Sequence, residues 1–187
     1  QIFNVRNKIN IQCESRKLDL VIFNAGICEY FDVNNPDWEM MSRVMDVNYS
    51  GVVNSFNVAL PLLGAGSHVV AISSLATFAP FTRAQAYGAS KAALDYFMSV
   101  MRADLKPMNI DVTIVNPGFV DTPLTKTNDF EMPFRLDVEK AANIIVSKIK
   151  NRPRVINFPF KFSLLLKLAY FSPSIWFKFI SPRLSRS

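Results

Sequence analysis

The chain holds one histidine, two cysteines and six glycines in 187 residues, and each scarcity removes a class of chemistry. His68 stands at the start of an apolar run with no partner motif, so no Ser/His/Asp hydrolase triad is available and the histidine reads as structural. Cys13 and Cys28 show neither CxxC nor metal-ligand spacing, and paired carboxylates for glycoside chemistry are absent too. No metal is expected. Two cysteines without a signal peptide point to a reducing cytoplasm. No run of ~18 uncharged apolar residues would span a bilayer. The glycines are Gly26, Gly51, Gly64, Gly66, Gly88 and Gly118, and none forms the G-x-G-x-x-G turn that cradles a pyrophosphate. Gly64-Ala65-Gly66 comes nearest, but it precedes a strand-like run and reads as a helix-to-strand turn.

Acidic residues are missing altogether from residues 151–187. That segment carries Arg152, Arg154, Lys161, Lys167, Lys178, Arg183 and Arg186, whereas the other 150 residues hold 14 basic and 15 acidic side chains. The net charge of +6 therefore belongs to the tail. Within it, Phe158, Phe160, Phe162, Phe171, Trp176, Phe177, Phe179 and Leu164-Leu165-Leu166 interleave with the lysines, broken by Pro173 and Pro182. Such a pattern suits two short amphipathic helices on a membrane surface. It equally suits packing against the substrate side of the domain or a second subunit, and both readings stay open. No nucleic-acid motif accompanies the charge, so nucleic acid is not an expected partner.

The body of the chain alternates short β-branched runs with helix-length stretches. Leu18–Phe23 runs into Asn24-Ala25-Gly26, His68–Ile72 into Ser73-Ser74, and Asp111–Val115 into Asn116-Pro117-Gly118. Asn35-Pro36-Asp37 opens a helix through about Leu60, and a second runs from about Ala84 to Leu105. After an irregular stretch from Thr122 to Leu136, Asp137 caps a helix through about Lys150, and Arg154 to Phe158 is the last expected strand. The order β-α-β-α-β-α-β predicts an α/β domain with a parallel sheet and right-handed crossovers. Ligands of such sheets bind beyond the carboxyl ends of the strands, where all three polar motifs fall. With 50% hydrophobic residues the chain forms one core over residues 1–157, followed by the basic, aromatic extension 158–187.

Tyr87 and Lys91 lie at i and i+4 on one helix face. A phenol ionises near pH ~10, and a cation beside it favours the phenolate, which makes the pair a candidate general acid/base. Ser74 precedes Tyr87 by 13 positions, with Ser73 competing for its role. Asn48 sits in a helix where its propensity is poor, which hints at a specific hydrogen-bonding use.

Asn24-Ala25-Gly26, Asn48, Ser74, Tyr87 with Lys91, and Pro117-Gly118-Phe119-Val120-Asp121-Thr122 together resemble the short-chain dehydrogenase/reductases, over roughly residues 15 to 157. The resemblance implies a Rossmann-type, doubly wound parallel sheet that lacks its first strands and glycine-rich turn, an N-terminally truncated member of the family. It implies hydride transfer between NADP or NAD and a carbonyl or alcohol substrate, in a homo-oligomer when full length. Asn48, Ser74, Tyr87 and Lys91 would be catalytic. Asn24, Ala25, Gly26, Asn48, Tyr87, Lys91, Pro117, Gly118, Val120 and Thr122 would contact the cofactor. On this reading Lys91 depresses the tyrosine pKa and Asn48 holds a water linking Lys91 to solvent. Phe119, Leu124, Phe130, Met132 and Phe134 in the loop after Gly118 favour an apolar substrate. The alternative is a catalytically silent fragment with a scaffold or membrane-surface role. Without the phosphate turn, NAD(P)H binding by residues 1–187 alone is expected to be weak.

Overall fold

The computed structural model describes residues 17–171 except 127 and 129, together with 174 and 176–180. Cys13, Pro173, Pro182, Arg183 and Arg186 lie outside them. Four strands form one parallel sheet in the order β1 (Leu20–Phe23), β2 (His68–Ile72), β3 (Asp111–Pro117), β4 (Val155–Phe158). Side chains alternate across a strand, and both sets find cover here. Val69, Ala71, Val112 and Ile114 pack with Phe56, Leu94 and Met98 on one face, while Val70, Val115 and Ile156 pack with Ala141 and Ile149 on the other. Helices on both faces make the sheet doubly wound. On β1 the second face is uncovered among the described residues: Leu20 and Ile22 are 43% and 46% exposed.

The helix expected from residue 35 to 60 follows that course with one interruption. Asp37 Oδ1 accepts from Met40 N–H and opens α1 (Glu39–Met45); a π-helical turn at Asp46–Ser50 then leads into α2 (Gly51–Ala59). Wider turns of this kind shift the following residues around the helix and often mark functional positions. Asn48 lies inside it. Helix α3 (Gln85–Leu105) presents Ala86, Ser90, Lys91, Leu94 and Met98 to the core, a 3–4 spacing of one buried face. In the stretch expected to be irregular, α4 (Pro123–Lys126) forms a single turn. Asp137 caps α5 (Val138–Ile149) by accepting from Lys140 N–H at 2.8 Å.

The tail forms α6 (Phe160–Phe171) and a π-helical turn at Trp176–Ile180. Phe162, Leu166 and Ala169 bury one stripe of α6 against Leu75 and Ala79, and the buried Trp176 donates to Pro80 O at 2.7 Å. Its other faces are apolar as well: Phe160, Leu164, Leu168, Tyr170 and Phe171 are exposed, beside Lys161 and Lys167.

Candidate active site

The carboxyl ends of β1, β2 and β3 open onto a cleft of about 660 Å³, counting the space open to solvent. Ser74, Tyr87, Pro117 and Gly118 line it together with Cys28, Tyr30, Phe119, Asn128, Phe130 and Phe162. The two serines after β2 separate cleanly. Ser74 starts a 3₁₀ turn and accepts from Ala76 N–H at 3.1 Å, and its hydroxyl lies near enough to the Tyr87 phenol to pull that group's pKa down. Ser73 is buried beneath α3, its hydroxyl directed at Lys91 O, 3.5 Å away.

Lys91 is 4% exposed and donates to Ile72 O at 2.9 Å, with Nζ 5.9 Å from the Tyr87 ring centroid. Burial holds its pKa down to about 8, against a smaller opposing pull from Asp95. Tyr87 behaves differently from the expectation that Lys91 lowers its pKa. Burial pushes the phenol up to about 12, and the Ser74 bond opposes this only in part. The physical reason is that the lysine is directed at a main-chain carbonyl, not at the phenol oxygen, so desolvation dominates.

Asn48 is fully buried and its amide is committed to other groups. Oδ1 accepts from Ile27 N–H at 2.8 Å, and Nδ2 donates to Ile27 O and to Ser90 Oγ, both at 2.9 Å. Both amide protons are used, so the side chain clamps the segment after Gly26 onto α3. A water held for Lys91 would have to use the remaining lone pair of Oδ1 or a main-chain carbonyl of the π turn.

Gly26 passes directly above these groups. A Cβ there would come within 3.3 Å of both Asn48 Oδ1 and Lys91 Nζ, so the backbone rests on the buried ammonium. Asn24 and Ala25 are exposed at the strand end. Beyond β3, a Cβ on Gly118 would meet Phe162 Cδ1 at 2.9 Å and Pro159 Cδ at 3.1 Å. Val120 bridges to Leu136, and Thr122 N–H donates to Thr125 Oγ1 at 3.0 Å, which turns the loop into α4. Ser74, Tyr87, Pro117 and Gly118 thus share the cleft, Lys91, Asn48 and Gly26 lie together at the β1 side, and Val120 and Thr122 shape the loop. His68 is remote, bonded to Thr113 Oγ1 between β2 and β3 at 2.8 Å. Among the described residues no His, Cys, Asp or Glu cluster forms a metal site.

Sequence reasoning missed Cys28, Tyr30 and Asn128 in the cleft, and it left Phe162 among the tail residues whose packing was open. The aromatic density of the tail was the one available signal for Phe162. Tyr30 and Asn128 lie 98 positions apart and carry no local pattern.

A buried lysine whose ammonium has three donors, with Ile72 taking one, suits the hydroxyl groups of a nicotinamide ribose. The bare backbone at Gly26 leaves room for close approach. These residues fit a nicotinamide cofactor.

A family model described as short chain dehydrogenase matches residues 3–132. An uncharacterized oxidoreductase of Myxococcus xanthus is 32% identical over 176 residues, spanning 93% of this chain and 70% of that protein. The chain spans only 20% of the mycobacterial oxidoreductases that it also matches. Among solved structures, a short chain dehydrogenase of Burkholderia cenocepacia in complex with NADP superposes with a TM-score of 0.80 at 20% identity, covering 100% of this chain and 76% of that one. An NADPH-bound carbonyl reductase from chicken fatty liver gives 0.73 at 21% identity, covering 83% and 69%. The parallel sheet, the ordered motifs and these matches agree: the chain belongs to the short-chain dehydrogenase/reductases, a family of NAD(P)-dependent oxidoreductases.

Proposed function

We propose that this protein transfers a hydride between NADP or NAD and an apolar carbonyl or alcohol substrate. The observation that carries this reading is that Ser74 and Tyr87 line one cleft together, with Leu75, Phe81, Phe119, Phe130 and Phe162 among its other walls. Bound nicotinamide would supply or accept the hydride. Tyr87, with its pKa near 12, is protonated at neutral pH and is the proton donor toward a developing alkoxide. Ser74 hydrogen-bonds the substrate oxygen where negative charge builds, and supports the phenolate left behind. Lys91 holds ribose hydroxyls with the donors that Ile72 O leaves available. Asn48 fixes the chain at Ile27 so that Gly26 stays over Lys91. Asn24 and Ala25 border the adenosine side; Pro117, Gly118, Val120 and Thr122 border the nicotinamide. The carbonyl reductase among the structural neighbours supports a carbonyl substrate. The test is turnover of a panel of ketones at saturating NADPH and NADH. Aliphatic and aromatic ketones should be reduced with matching cofactor consumption, and no turnover of any of them would contradict the reading.

A second reading, attachment to a membrane surface, is favoured by one observation. The outer face of α6 keeps Phe160, Leu164, Leu168 and Phe171 in solvent beside Lys161 and Lys167, although its inner stripe packs on the domain. No helix among the described residues is long and apolar enough to cross a membrane, and the attachment proposed is of the α6 surface alone. Co-sedimentation with anionic vesicles should weaken with salt and on Phe160→Ser/Phe171→Ser substitution. Equal sedimentation of both forms rules it out.

A further inference from the structure

Three loops that share no local sequence pattern meet at one residue in the cleft. Tyr30, from the loop after β1, donates its hydroxyl to Asn128 Oδ1, in the loop after β3, at 2.7 Å. Its ring meets the edge of Phe130 at 5.8 Å and 89°. The Arg83 guanidinium, from the loop after β2, lies over the same ring at 5.6 Å, and Arg83 O accepts from Phe31 N–H at 2.8 Å. Arg83 holds a left-handed backbone, φ 64°, in making this junction. One Nδ2 proton of Asn128 is directed at Met132 Sδ, 3.2 Å away.

The consequence for a ligand is chemical. The Tyr30 hydroxyl is engaged by Asn128 Oδ1, and the Tyr30 ring packs edge-on to Phe130, which in turn meets Phe119, so the ring extends the aromatic lining of the cleft. We propose that Tyr30, latched to Asn128, is a specificity-determining wall that limits the length of the apolar arm a ketone or alcohol carries beyond its oxygen. This rests on the reading of the cleft as a carbonyl/alcohol site, and it narrows the substrate class to compounds with an unbranched or aromatic apolar arm of bounded length.

The test is a calorimetric binding series on the full chain, using straight-chain 2-ketones of about four to about twelve carbons, in which each buried methylene strengthens binding about fourfold. Affinity of the wild type should climb at that rate and then level off where the arm reaches the wall. Tyr30→Ala should move the levelling point to longer ketones. Tyr30→Phe breaks the latch and keeps the ring, and Asn128→Ala breaks it together with the Met132 contact, so each should move the levelling point by a smaller step than Tyr30→Ala, and the double variant should move it by less than the sum of the two. An unchanged levelling point in a Tyr30→Ala protein that still melts cooperatively overturns the proposal. If that variant does not fold, the two latch variants decide, and an unchanged levelling point in both overturns it. Length-dependent binding that behaves as described, with no ketone ever turned over, sinks the proposed reaction and leaves the wall standing. Turnover with an unmoved levelling point does the reverse.

Discussion

The cleft is built in two different ways at its two parts. Around Tyr87, the groups come from the end of β2, from α3 and from the π turn between α1 and α2, and most are held by main-chain partners: Lys91 on Ile72 O, Asn48 on both polar groups of Ile27, Ser74 on Ala76 N–H. Around Tyr30, the walls come from four separated segments and are held by side-chain contacts: Tyr30 with Asn128, Phe119 with Phe130, Phe119 stacked on Phe162 at 5.5 Å. A backbone-anchored constellation tolerates little change of residue type, because each substitution strands a buried polar group. An aromatic wall tolerates exchange of one apolar group for another and re-shapes the space instead. One fold can thus keep the proton chemistry fixed while the accepted substrate varies.

The largest stability effect should come from the anchored part. Asn48→Ala removes three hydrogen bonds, one buried and two part-buried, and takes from the Ile27 N–H and C=O their side-chain partner. At about 1 kcal/mol each, the loss is about 3 kcal/mol, read as a lower denaturation midpoint. A loss below about 1 kcal/mol would mean that the clamp is dispensable and the contrast between the two parts weaker than drawn.

Lys91→Met should act in the opposite direction on stability. The folded pKa of Lys91 near 8 lies below the unfolded value of ~10.4, so the unfolded state binds more protons between those values. Below pH 8 the lysine is charged in both states and carries the full cost of its burial. Wild-type stability should therefore rise between pH 8 and 10, whereas the methionine variant should be flatter and more stable at pH 7 by about 2 kcal/mol. Cofactor affinity should fall with the same substitution. A variant less stable than wild type at pH 7 would show that the Ile72 bond outweighs desolvation.

Gly118→Ala sharpens the other side of the comparison. The added methyl meets the Phe162 ring at 2.9 Å, and the ring tilts or α6 shifts to admit it. Overpacking of this kind costs about 1 kcal/mol where a neighbour yields. The expected signature is a change in Trp176 fluorescence, since Trp176 shares the α6 cluster, with only a small change in melting temperature. An unaltered Trp176 signal would argue that α6 is not coupled to Gly118.

What was legible beforehand divides along the same line. Tyr87, Lys91 and Ser74 could be read because their spacing repeats within one βα unit, and the strands because β-branched runs end in fixed polar motifs. The helix of α3 and the Asp137 cap follow from local chemistry and appear where their residues require them. The π turn at Asp46–Ser50 could not be read, because nothing in Asp-Val-Asn-Tyr-Ser distinguishes it from an ordinary helix; the clamp on Ile27 accompanies it only in three dimensions. The direction of the Tyr87 shift was misjudged for a related reason. Helical spacing brings a lysine near a phenol, but burial depth and the pull of Ile72 O depend on the packed sheet beneath. The Tyr30–Asn128 contact closes over 98 positions and left no trace in either neighbourhood.

The central claim is that Tyr87 is the proton donor of this cleft and that its surroundings are otherwise intact without its hydroxyl. Steady-state reduction of an apolar ketone at saturating NADPH, by the protein and by its Tyr87→Phe variant, tests this most directly. The account predicts an unchanged melting temperature with turnover reduced ~10²–10⁴-fold, the usual contribution of general acid catalysis. Retention of more than about a tenth of the wild-type turnover, against that expected range, would contradict it.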